Sequence, residues 1–139
     1  MAIIKIEEKY EYLKDVLLSI LLIGIAFVIN AGMSIRGLYQ DDLFMWSTRR
    51  GVGFFKYVFP EQTRKFRPVY WIVAWIYQGI LKNNISLIVP INIIIAAIIA
   101  IGVYFFAKSM AKSRGLAFTL ASMFLISRFS YYNIGQFLG

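Results

Sequence analysis

Two adjacent carboxylates, Asp41-Asp42, are the first residues whose types and spacing suggest chemistry. A pair like this can take a proton from a hydroxyl or hold a divalent cation such as Mg or Mn. It can equally cap a short helix starting at Leu43, where negative charge suits the helix N-terminus. Arg64, Lys65 and Arg67 follow, immediately before Pro68. If a helix begins at that proline, its positive end and the cations together make a phosphate site. The same three residues also suit lipid headgroups. Arg128, followed by Tyr131, Tyr132 and Gln136, is the third set. An Arg at the end of an apolar helix either snorkels to an interface or pairs with something anionic.

The 139-residue chain limits what these residues can be doing. It contains no Cys and no His. Thiolate chemistry, sulfur-ligated metals and histidine-based triads are therefore excluded, and proton transfer falls to the 7 carboxylates, Tyr or Lys. Hydrophobic residues make up 60% and charged residues 16%, against about half and a quarter in soluble domains. Mean hydropathy is +0.67. The net charge of +8 in so apolar a chain points to anionic lipid or a lipid phosphate. No nucleic-acid-binding module is recognisable, so no nucleic-acid partner is expected.

The elements that must position the candidates follow from the apolar runs. After a polar start of mixed charge (residues 1–15), residues 16–33 form an uncharged run of roughly 27 Å as a helix, about the thickness of bilayer hydrocarbon. Residues 34–67 form a long loop in which Arg and Lys alternate with Tyr, Phe and Trp, as in a headgroup zone. Residues 68–81 read as a helix of roughly 21 Å, too short to cross, hence interfacial or re-entrant. Residues 85–107 form the strongest span, with a kink expected near Pro90. Lys108, Lys112 and Arg114 make a basic turn, and a third span runs over 115–129. The expected fold is an all-α integral membrane protein with about three transmembrane helices and interfacial helices in a long first loop. A last span followed so soon by the chain's end suggests the front of a longer protein.

In order and spacing these features resemble the start of a GT-C superfamily membrane glycosyltransferase. Asp41-Asp42 follow the first span, where that family keeps an acidic motif in its first extracytoplasmic loop. Phe66-Arg67-Pro68-Val69 is similar to the family's Arg-Pro-apolar motif. Residues 85–107 and then Ser127-Arg128-Phe129-Ser130-Tyr131-Tyr132 with Gly135-Gln136 resemble the next two spans and the second outer loop. Asn92 stands without the histidines that many relatives place near it. The resemblance implies a polyprenyl-phosphate sugar as donor and a glycan or protein as acceptor, and the Ile- and Lys-rich composition points to a bacterial cytoplasmic membrane. It implies Asp41 or Asp42 as base, with a divalent cation as an option. It implies Arg64, Lys65, Arg67 and Arg128 on the donor phosphate, and Tyr132 and Gln136 in the substrate groove.

Two other readings stay open. A non-catalytic adaptor whose basic loop binds anionic lipid would place that loop in the cytoplasm, as the positive-inside rule does for Arg36, Arg49, Arg50, Lys56, Arg64, Lys65 and Arg67. The GT-C topology places the loop outside. A transporter fragment needs polar residues along an intramembrane path, and Asn30, Asn92 and Arg128 are few for that.

Overall fold

The computed structural model describes residues 2–35, 47, 51–59, 68–82, 84–127, 130 and 134. Among these every regular element is helical. They are α1 (Ala2–Ile29), α2 (Phe54–Val58), α3 (Pro68–Leu81), a 3-10 turn (Ile85–Leu87), α4 (Ile88–Ala111) and α5 (Arg114–Ile126).

α1 starts at Ala2, so the charged opening of the chain is one continuous helix with the apolar run. Its good helix formers and an i,i+3 Glu11–Lys14 pair favour this over a separate polar lead. The helix stops at Ile29, short of Met33. Gly32, at φ +86, supplies the left-handed turn that follows. α3 begins at Pro68, where a missing N–H costs nothing. Pro90 lies in the first turn of α4 and also deprives the helix of no hydrogen bond. The α-helix runs through Pro90 from Ile88 to Ala111, preceded by a 3-10 turn over Ile85–Leu87. The Asn84 side chain caps that turn by accepting from the Ser86 N–H at 3.1 Å and the Ser86 hydroxyl at 2.6 Å.

α1, α4 and α5 pack together, and α2 packs on α3. α4 and α5 form an antiparallel hairpin joined by Lys112 and Ser113 alone. Two helices are long and apolar enough to cross a membrane, over Tyr10–Ile29 and Ile85–Ala111. α5, at 13 residues, is shorter than a span.

Small residues are prominent where the three helices meet. Ala26, Ala96, Ala97, Ala100, Ala107, Ala117 and Ala121 are buried there with Leu22, Val89, Ile93, Tyr104, Leu125 and Ile134, and Leu18, Ile25, Ile101, Val103, Phe118 and Phe124 pack half-buried against them. Large apolar residues point outward, including Leu17, Ile20, Val28, Ile98, Phe106 and Met123. Burying small residues and exposing large ones is how helices pack when the solvent is lipid. Several hydroxyls are satisfied within their own segment: Ser19, Ser109, Thr119 and the C-cap Ser127 each donate to a carbonyl three or four residues back, and the Asn30 amide donates to the Ala26 carbonyl at 2.8 Å. Such groups need no water, whereas the buried hydroxyls of Ser122 on α5 and of Ser130 have no partner among the described residues.

Candidate functional site

Every candidate site residue read from the sequence lies outside the described residues: Asp41, Asp42, Arg64, Lys65, Arg67, Arg128, Tyr132 and Gln136. Described residues flank each of these segments, and several of the flanking residues gather at the N-terminal end of α4. Ile35, six residues before Asp41, packs both against the α1–α4–α5 core and against a buried cluster of Tyr57, Val58, Ala74, Tyr77, Leu81 and Ile88. α3, which opens directly after Arg67, contributes Tyr70, Trp71, Ile72 and Trp75 to the same cluster. Ile134, between Tyr132 and Gln136, is buried, and its carbonyl accepts from the Asn92 amide at 3.0 Å.

The chemistry of this end is neutral and aromatic. The Tyr57 ring sits edge-on to Trp71 at 5.4 Å and tilted against Trp75 at 5.3 Å, while Phe54 meets Trp75 at 5.7 Å. These offset and edge contacts are the favoured geometry for ring quadrupoles. The Tyr57 hydroxyl accepts from the Gln78 amide at 3.1 Å. The Tyr77 hydroxyl lies 2.6 Å from the Asn92 side-chain oxygen and 3.2 Å from the Ile88 carbonyl, to both of which it can only donate. Burial pushes the Tyr77 phenol up to about 12, so it remains a donor throughout the physiological range. Tyr77 and Asn92 thus link α3, α4 and the chain around Ile134.

The opposite end of the bundle is charged. Asp15 on α1 is 7% exposed. Its carboxylate accepts from the Tyr104 hydroxyl at 2.6 Å, from the Arg114 Nε at 2.9 Å, and from Lys108. Arg114 also pairs with Glu11, which is bridged to Lys14 at 3.0 Å. One buried acid therefore joins α1 to the last turns of α4 and the first residue of α5. From sequence alone Asp15 belongs to a polar start, and Lys108, Lys112 and Arg114 to a basic turn. The signal that pairs them is complementary charge at the same end of two successive spans.

No group of three metal-ligating side chains occurs among the described residues, and the expected metal ligands Asp41 and Asp42 lie outside them. No family model matches the sequence, and no curated protein or solved structure matches it.

Proposed function

We propose that the chain is a multi-pass membrane protein that acts in transferring a sugar from a polyprenyl-phosphate donor to an acceptor outside the membrane, as in GT-C glycosyltransferases. Alanine-lined helix contacts under an outer layer of Ile, Leu, Val, Phe and Met support the membrane part of this reading. The transfer part rests on the motif order Asp41-Asp42, Arg64-Lys65-Arg67 and Arg128 to Gln136; beside it stands one observation, that the C-terminal half of α3 and Ile134 both meet the opening turns of α4.

In the proposed reaction an acceptor hydroxyl attacks the anomeric carbon of the sugar. Asp41 or Asp42 takes the hydroxyl proton as the new C–O bond forms. The bond from the anomeric carbon to the phosphate oxygen breaks, and its electron pair leaves with the lipid phosphate. Arg67, Arg64, Lys65 and Arg128 stabilise the charge that develops there. Tyr132 and Gln136 contact the sugar. Asp41 and Asp42 are the donors for a divalent cation, and no step depends on one.

The test is transfer of a labelled sugar from a polyprenyl phosphate in membranes carrying the protein. Asp41→Asn or Asp42→Asn lowers the rate by about 10²-fold or more if that residue is the base. Undiminished transfer in both variants removes the assigned mechanism. The adaptor reading draws on the cations of the 34–67 loop; it predicts no transfer, and binding to anionic vesicles that neither substitution alters.

A further inference from the structure

We infer that α3, braced by α2, is immersed along one face in the acyl chains of a single bilayer leaflet, the one at the N-terminal end of α4. This rests on the membrane reading above but not on sugar transfer. Val69, Val73, Ile76 and Ile80 are all at least half exposed. Their spacing of four, three and four residues puts them on one side of the helix. Ala74, Tyr77, Gln78 and Leu81 lie on another side and are buried. α3 therefore has apolar residues both against the protein and away from it, an arrangement that water does not favour and hydrocarbon does.

Length and tethering restrict the occupant to one leaflet. Fourteen residues make a helix of roughly 21 Å, shorter than the ~30 Å of hydrocarbon. The Tyr77 hydroxyl fixes the C-terminal half of α3 to Ile88 and Asn92, in the opening turns of the long span. α3 thus sits at the level where that span begins. An exposed cation, Lys82, lies two residues beyond Ile80 and ends α3 in a left-handed conformation at φ 47. At the end of an apolar stripe, an exposed lysine complements anionic headgroups.

The absence of cysteine makes the test direct. Val69→Cys, Val73→Cys, Ile76→Cys and Ile80→Cys each carry a nitroxide, with the protein in phosphatidylcholine–phosphatidylglycerol vesicles. Lys82→Cys and Ile98→Cys, both at exposed positions, serve as headgroup and mid-span references. The inference requires an oxygen-to-nickel-chelate collision ratio several-fold above that of Lys82→Cys at all four positions, and below that of Ile98→Cys. Collisions with the water-soluble chelate along the stripe, while Ile98→Cys stays in lipid, would overturn it by placing the face in water. Protection from both reagents would overturn it by showing protein over the stripe. Chelate access at Ile98→Cys would defeat the membrane reading itself.

Discussion

The Asp15 carboxylate on α1 accepts a hydrogen bond from the Tyr104 hydroxyl on α4 at 2.6 Å, and both residues are almost completely buried. Eighty-nine positions apart in sequence, they fix how the first helix lies against the later hairpin. The same carboxylate binds Lys108 and Arg114, so an acid that would be costly alone at the edge of a membrane has three donors. In the proposed membrane setting its value lies in setting register and orientation, since lipid supplies little hydrophobic drive for helices to associate.

Replacing Asp15 with Asn keeps the shape and removes the charge. Lys108 and Arg114, each about 30% exposed in their side chains, then lose their shared partner. We expect a loss of about 2 kcal/mol, below the range for fully buried pairs because both cations retain some access to solvent. Unfolding in mixed micelles with increasing SDS measures it. Lys14→Ala removes an exposed pair with Glu11 and is expected to cost under about 0.5 kcal/mol.

This packing predicts opposite sensitivities on the two faces of α4. Ile98 is 63% exposed. In a soluble protein Ile98→Lys would change stability by no more than about 0.5 kcal/mol. If Ile98 faces lipid in mid-span, as the proposed function requires, the same change costs about 3 kcal/mol and reduces membrane integration. Ala100 has no exposure at all, and Ala100→Leu forces helices apart at a cost of about 1–3 kcal/mol. Integration assays and SDS unfolding of both variants read the pair together.

At the other end of the bundle, Tyr77→Phe removes the hydroxyl that reaches Asn92 and Ile88 while keeping the ring. A loss of about 1 kcal/mol is expected. Trp71 and Trp75 lie in the same cluster, so a change in tryptophan emission should accompany it. An unchanged spectrum with unchanged stability would show that the link between α3 and α4 is not needed for their packing.

Much of the helical framework is legible in the sequence, because uncharged runs and helix-starting prolines are local signals. Pro68 marks the start of α3, and the run from Ile85 to Ala107 lies within the 3-10 turn and α4. Harder to read is what depends on pairing across the chain. Asp15 looks like one more charge in a polar opening until Tyr104, Lys108 and Arg114 are brought to it. Tyr77 and Gln78 look like ordinary members of an apolar helix until Asn92 and Tyr57 meet them. The beginning of α1 is missed for a related reason: residues 2–15 are too polar to register as a span, yet nothing in them breaks a helix. The candidate catalytic and phosphate-binding residues come from motif order alone, and they fall outside the described residues.

The side of the membrane on which the 34–67 loop lies tests the central claim most directly. Ser47 is exposed within that loop, and the protein has no other position where a thiol reagent could react. Ser47→Cys in intact cells, treated with a membrane-impermeant maleimide, should label without lysis, placing Asp41 and Asp42 outside with the acceptor. Labelling only after lysis would place the loop in the cytoplasm, as the positive-inside rule does, and would contradict the glycosyltransferase reading in favour of the lipid-binding adaptor.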